Sequence, residues 1–422
     1  MMGGRGPIST RARRRQVRTH AGARRRGVIT LTALVAASVI ASPAVSASAS
    51  SSAWHTVTLD PATPTVSSSP TPTVSSSPAP TVSSSPTAST TTTSSGTLVA
   101  GLNDHPVWLN SSQSYEFNLI TAAHAKAVRI DVPWNVVDGG SKGTYNSYYL
   151  GHLDNYVNLA AGAGVDVLMV VTNAPQWANG STDPHVPPIN NSDYADFLQF
   201  LMTRYAGKVH EYEIWNEPNG SWAWTNPDPV RYAGLLQAAY TRAKSVDPTV
   251  TILAPSLSGP DQASYLDKFY AAGAKNYFDA FSMHGYWFNL NGSTVLRYWN
   301  ATNPDQSIFG AFTTRILPVM TKYGDQNKPV WWTETGASTQ GSITTTTDQA
   351  SMVDQAFTAF KARVVPTMDR LYWYEAIDAI GTGSEQNYGL VDLTGTTAIN
   401  PATTDFAPKP AYTHYQNDAA GL

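Results

Sequence analysis

Two glutamates carry the chemistry that this sequence points to. Glu217 stands between an asparagine and a proline in the stretch YEIWNEPNGSW, and Glu334 lies near the end of the apolar run PVWWTETGAS. A carboxylate at the end of such a run suits no ordinary core, because burying an unpaired charge is costly. Two carboxylates facing one another across a cleft can flank a glycosidic bond. One protonates the leaving oxygen, while the other attacks the anomeric carbon or positions water there.

Such a pair needs a rigid frame to position it. Eight short apolar runs recur along the chain: TLVAGLN, AVRIDVPW, VDVLMVVTNAP, VHEYEIWNEP, VTILAPSLS, FDAFSMHGYW, PVWWTETGAS and RLYWYEAID. Helical stretches fall between them, among them 147–163, 192–205, 228–246 and 348–364. Runs that are nearly continuous in apolar character read as parallel strands covered on both faces. Eight of them predict a (β/α)8 TIM barrel spanning 97–422. An open doubly wound sheet would alternate similarly, but it usually carries a glycine-rich turn after its first strand, and GLNDHPVW is not one.

Barrel enzymes place their sites at the C-terminal ends of the strands. Reading those ends gives Asn173 after the third run, Asn216 and Glu217 after the fourth, His284 and Tyr286 after the sixth, Glu334 on the seventh and Trp373 on the eighth. Asn173, before Ala-Pro, also suits a turn-shaping role. Among 12 Trp and 21 Tyr, Trp177, Trp222, Trp224 and Trp287 fall in loops after strands. There an indole face can stack on the apolar face of a sugar ring or pack against its own loop.

Charge and composition exclude other classes. Nine of the 27 Lys and Arg lie within residues 1–26, leaving 18 basic against 30 acidic residues beyond. That balance argues against a nucleic-acid surface. The arginine cluster runs into GVITLTALVAASVIA, about the length of a signal-peptide apolar region and short for a bilayer span. Residues 1–49 therefore read as a signal peptide, with a weak likeness to a twin-arginine signal, and retention as a membrane anchor is the lesser alternative. From 50 to 96 the chain is Ser, Thr, Pro and Ala, with PTVSSSP recurring every eight residues. Such a segment lacks the apolar surface to fold and is expected to be a disordered spacer. There is no cysteine, no HExxH and no phosphate-cradling glycine loop, so no cofactor and no metal is expected. The chain is taken as a secreted monomer, with tethering at the cell surface as the alternative, and its partner is a carbohydrate substrate.

The WNEP that closes the fourth run and the glutamate of WWTETG on the seventh resemble the clan A glycoside hydrolases, retaining (β/α)8 enzymes that include cellulases, mannanases and β-xylosidases. YEIWNEPN is most similar to family 39, the β-xylosidase-like branch, while TETGAS departs from the EFG form common in the family 5 cellulase-like group. YGLVDLTGT and PKPAY resemble the closing return of both. The resemblance implies that Glu217 is the general acid/base, Glu334 the nucleophile and Asn216 a partner of the hydroxyl beside the anomeric carbon. It implies a brace on Glu334 from Arg129, whose alternative is an ion pair with Glu213. It also implies a platform at Trp373. At the end of the sixth run Tyr286 is placed to donate to Glu334, and His284 to bond a sugar hydroxyl or Glu217, its alternative being a structural histidine. Glu217, beside an apolar Trp and Pro, is expected to have a raised pKa. Glu334 is expected to start ionised, held by donors and a cation.

The reading is a secreted retaining β-glycosidase acting on a polysaccharide or oligosaccharide. Rivals are an inverting enzyme, a transglycosylase on the same barrel, and a non-catalytic carbohydrate-binding surface protein.

Overall fold

Each apolar run becomes a strand in the computed structural model, which describes residues 96–106, 113–259, 262–286, 307–339, 345–379, 387–393 and 405–422. The strands are β1 (Val99–Asp104), β2 (Ala127–Pro133), β3 (Asp166–Thr172), β4 (Glu211–Ile214), β5 (Thr251–Ser258), β6 (Ala280–His284), β7 (Val330–Thr335) and β8 (Met368–Trp373). They pair in parallel and in sequence order, and β8 closes on β1 with Val99 opposite Arg370 and Leu102 opposite Trp373. Closure excludes the open doubly wound sheet. The proposed signal peptide and all of the spacer except Gly96 lie outside the described residues.

Helices wrap the barrel: α1 (Gln113–Ala122), α2 (Trp134–Val137), α3 (Ser147–Ala163), α4 (Gln176–Asn179), α5 (Asn191–Arg204), α6 (Pro229–Val246), α7 (Ala263–Ala271), α8 (Ile308–Ala311), α9 (Leu317–Tyr323), α10 (Thr346–Lys361) and α11 (Pro410–Ala419). Their starts are encoded locally. Asp228 caps α6 by accepting from the backbone N–H of Val230 and Arg231, with Pro229 in the first turn, and Thr345 with Asp348 forms a capping box on α10. Among the described residues no helix is long and apolar enough to cross a membrane. After β8 the chain returns through the antiparallel pair β9 (Val391–Leu393) and β10 (Phe406–Pro408).

Side-chain alternation sorts the barrel into layers. Val128, Ile130, Tyr212, Ile214 and Trp332 point outward into the large apolar layer shared with the helices. Ala127, Leu168, Leu253, Ala280, Trp331 and Tyr372 point inward and plug the floor. Further along the same strands the inward positions turn polar, with Asn103, Arg129, Glu213, Ser282 and Thr333 all buried. That polar layer supports the mouth.

Candidate active site

The mouth is assembled by breaks in regular geometry. β4 stops at Ile214, three residues before Glu217, and both Trp215 (φ 66°) and Glu217 (φ 43°) take left-handed backbone conformations. Such non-glycine conformations cost on the order of 1–3 kcal/mol each and persist where surroundings over-determine them. Here Trp215 is fully buried; its N–H donates to the Val171 carbonyl at 3.0 Å and its indole to the Ala223 carbonyl at 2.8 Å. On β7 the pairing with β8 slips between Trp332 and Thr335. The slip breaks the alternation, so that adjacent Thr333 and Glu334 both reach the interior: Thr333 meets the Ser282 hydroxyl at 2.6 Å, and Glu334 meets Arg129. Gly285, between His284 and Tyr286, leaves room for a Trp332 ring that an added Cβ would approach to 2.3 Å.

Arg129 is the hub. Its Nε donates to Glu213 Oε2 at 2.7 Å, one terminal nitrogen to Glu334 Oε1 at 2.6 Å and to Asn103 Oδ1 at 2.9 Å, and the other to Asn216 Oδ1 at 2.9 Å. Both the brace on Glu334 and the internal ion pair with Glu213 are therefore present. The planar fork serves two carboxylates at once, which a lysine could not do. Tyr286 donates its hydroxyl to Glu334 Oε2 at 2.9 Å, and Trp222 donates its indole N–H to Glu217 Oε2 at 2.5 Å. His284 Nδ1 lies 2.8 Å from Glu217 Oε1 and 3.4 Å from Glu334 Oε2, while its Nε2 is 3.2 Å from Ser256 Oγ.

One ligand-type atom from each of Glu217, His284 and Glu334 lies within 4.8 Å of the others, a spacing that a cation could bridge. All four carboxylate oxygens are nonetheless engaged by protein groups: Arg129 and Tyr286 on Glu334, His284 and Trp222 on Glu217. Positive charge at this site is supplied by Arg129 and His284.

The electrostatics correct one expectation. Burial raises the pKa of Glu217, but the His284 hydrogen bond and charge, with Trp222 and Ser258, outweigh it and hold Glu217 below its usual value. Burial also disfavours a charged His284, yet Glu334 and Glu217 together raise it above the ordinary histidine range. Glu334 is raised, chiefly by burial, against the pull of His284 and Arg129. The apolar Trp and Pro beside Glu217 in sequence thus do not set its pKa; a histidine 67 residues away does.

The other residues singled out in the sequence divide. Asn173 (φ 61°) shapes the turn after β3 and contacts neither glutamate. Trp177, on α4, donates to Asp138 at 2.9 Å and packs edge-on against Trp134. Trp224 is core, 1% exposed and edge-on to Trp215. Trp287 lies outside the described residues. Trp373 is a correction: it is 1% exposed and belongs to the layer between barrel and helices. Tyr372 points inward at the floor, so Trp373 points outward and Tyr374 points inward again. Tyr374 stands edge-on to Tyr286 and His105, with centroids at 6.1 and 5.8 Å.

A further group escaped the sequence. His105 lies 2.7 Å from Asp131 through Nδ1 and 2.9 Å from Glu375 through Nε2, forming an ionic bridge across β1, β2 and the end of β8 beside Tyr374. These residues come from three distant runs, and no spacing in the chain joins them.

Residues 88–368 match the family model "Cellulase (glycosyl hydrolase family 5)". Similar solved structures include a family 39 glycoside hydrolase from the gut symbiont Bacteroides cellulosilyticus WH2, at 23% identity and TM-score 0.59, covering 77% of this chain and 64% of that one. They also include GH5_18 from Streptomyces cattleya in complex with GlcNAc, at 17% identity and TM-score 0.58, covering 77% and 80%. A third is a monomeric β-xylosidase from Caulobacter crescentus CB15, at 16% identity and TM-score 0.56, covering 76% and 67%. The chain thus spans less than two thirds of the Bacteroides enzyme, and at these identities the likeness is one of fold. No curated protein matches the sequence.

Proposed function

The chain belongs to glycosyl hydrolase family 5, and from that membership and the site's geometry we propose a secreted β-glycosidase that retains anomeric configuration. Glu334 attacks the anomeric carbon while Glu217 passes a proton to the departing oxygen. Glu217 then takes a proton from the water that releases the sugar from Glu334. The observation that carries this reading is that one carboxylate oxygen of Glu217 lies within 4.8 Å of one of Glu334, with His284 between the two groups. Retaining enzymes need about 5–5.5 Å between the carboxyls, whereas inverting ones need about 6.5–9.5 Å to seat a water.

The surroundings fit the two roles. Arg129 and Tyr286 hold both oxygens of Glu334 and fix its direction of attack. Burial keeps Tyr286 well above the ordinary tyrosine range, with Glu334 adding to the effect, so it remains a donor. When Glu334 becomes esterified its charge vanishes, and with it the largest attraction holding a proton on His284. His284 and Glu217 therefore act as one proton store. Asn216, oriented by Arg129, is left with its amide N–H groups for the hydroxyl beside the anomeric carbon. The basic and apolar N-terminal segment supports export, and the family supports a β-linked polysaccharide or its fragments as substrate.

The test is hydrolysis of aryl β-glycosides and of xylan, glucan, mannan, arabinan and galactan by residues 97–422, beside Glu217→Gln and Glu334→Gln. At least one substrate should be cleaved by the parent, and about 10³-fold more slowly or worse by both variants. Carbohydrate binding without turnover by the parent would favour the non-catalytic reading instead.

The pH dependence follows from the same groups. Activity needs Glu334 ionised, so it is lost as pH falls through a pKa above the ordinary glutamate value. It also needs the shared proton, so it is lost as pH rises through the raised His284 value. The profile of kcat/KM should be a bell whose upper limb lies above pH 6.5. Activity still climbing at pH 10 or above would contradict it.

A further inference from the structure

Trp222 stands apart from the other tryptophans of the loops. Its indole N–H is spent on Glu217 Oε2. Trp177 packs against the apolar core and Trp224 lies within it, whereas Trp222 belongs to neither and is only partly buried. Among the described residues its ring meets no aromatic partner. The loop is shaped to hold the ring there: a Cβ added at Gly220 would fall 2.5 and 2.6 Å from two indole ring carbons, so glycine alone leaves the indole its seat. Trp215, anchored through its own indole to the Ala223 carbonyl, fixes the loop from beneath.

We propose that Trp222 positions the acid/base and is the platform on which the departing sugar stacks. The proposal rests on the assignment of Glu217 as acid/base. A carboxyl oxygen has two lone-pair directions. Trp222 occupies one at Oε2, while His284 engages Oε1 and Ser258 also bonds the carboxyl; we place proton delivery at Oε2, on the side of the indole. That proton bonds to the glycosidic oxygen as the C1–O electron pair leaves with it. The sugar bearing this oxygen then lies over the accessible part of the indole, an amphipathic surface suited to the C–H face of a pyranose.

The experiment compares full-length wild type with Trp222→Phe, Trp222→Ala, Gly220→Ala and Glu217→Gln. Substrates are 2,4-dinitrophenyl and phenyl β-glycosides of glucose, xylose and mannose, together with the matching β-1,4 disaccharides. Dinitrophenolate departs without a proton, so kcat/KM for it should change less than about threefold in Trp222→Phe. For phenyl glycosides and disaccharides it should fall roughly 10- to 100-fold, the size expected for one hydrogen bond to a charged group. Losing that N–H also destabilises the Glu217 carboxylate, so the upper pH limb should move up by about one unit. Trp222→Ala should lose a further factor of about 10 on disaccharides alone, through the missing ring face. Gly220→Ala should reproduce the split by displacing the indole. Equal losses on every leaving group with an unmoved limb would overturn the proposal.

Glu217→Gln separates the two readings. If it shows no dependence on leaving group, the acid/base assignment fails. If it shows the dependence and Trp222→Phe does not, the Trp222 proposal fails. A second readout needs no turnover. The ¹⁵N indole resonance that disappears in Trp222→Phe should shift with pH in the wild type and stay fixed in Glu217→Gln; a resonance that is insensitive to pH in the wild type would overturn the contact.

Discussion

Glu334→Ala is expected to lower kcat/KM for an activated aryl β-glycoside by about 10⁴-fold or more, because no other group is placed to form the covalent intermediate. The fold should survive: Arg129 keeps its bond to Glu213, so the guanidinium is not left unpaired. The truncated side chain opens space on the face from which the carboxylate attacks. Added azide should enter that space and restore turnover, giving a glycosyl azide of inverted, α configuration. Glu217→Ala with azide should instead give the β-azide, since azide then attacks the intermediate still carried by Glu334. Near-normal hydrolysis by Glu334→Ala, or the same azide from both variants, would sink the assignment.

Arg129→Met is the second large effect, and it falls on stability as well as rate. Glu213 is fully buried and Glu334 nearly so, and both lean on the one guanidinium. Removing one partner of a buried pair typically costs about 3–5 kcal/mol, because the other charge stays behind uncompensated. For a domain of this size that corresponds to a fall in Tm of roughly 4–7 °C.

The pH dependence of that loss has a defined sign. Burial raises Glu213, but Arg129, with help from His284 and Ser282, outweighs it and keeps the carboxylate below its usual value. A carboxylate lowered in the folded state contributes stability above its unfolded pKa, and that contribution is lost as pH falls through the folded value. In Arg129→Met the lowering is removed and burial dominates, so the deficit should be largest near neutral pH and shrink on acidification as Glu213 and Glu334 take up protons. Arg129→Lys should recover part of the stability and little of the activity, for want of the fork. Thermal melts at pH 5 and pH 8 check both points. A deficit that is equal at the two pH values would show that lost packing, and not stranded charge, is responsible.

The frame was legible because parallel strands covered on both faces must be nearly all apolar, and the eight runs from β1 to β8 stand out against polar helices and loops. Glu217 and Glu334 were legible for the converse reason, as charges at the ends of those runs. Facing could not be read in the same way. At RLYWYEAID three aromatics stand nearly side by side, and which of them enters the mouth depends on the register with β7, which slips twice. Trp373 faces the helices, and its neighbour Tyr374 meets Tyr286 instead. The pKa order of the site was hidden too, since the groups that set it, His284 beside Glu217 and Arg129 beside Glu334, come from other strands. Trp222 was visible as a loop indole, but its hydrogen bond to Glu217 depends on the backbone turn at Trp215 and the bare Cα of Gly220, neither of which a residue pattern encodes.

The most direct test of the double-displacement reading is covalent trapping. Wild-type protein would be incubated with the 2,4-dinitrophenyl 2-deoxy-2-fluoro β-glycoside of whichever sugar it cleaves, digested, and its peptides weighed. The fluorine slows both steps while the good leaving group rescues the first, so the glycosyl-enzyme accumulates. One label on the peptide containing Glu334, absent from Glu334→Gln, is the predicted result. Loss of dinitrophenolate with no labelled peptide, or a label on Glu217, would contradict it.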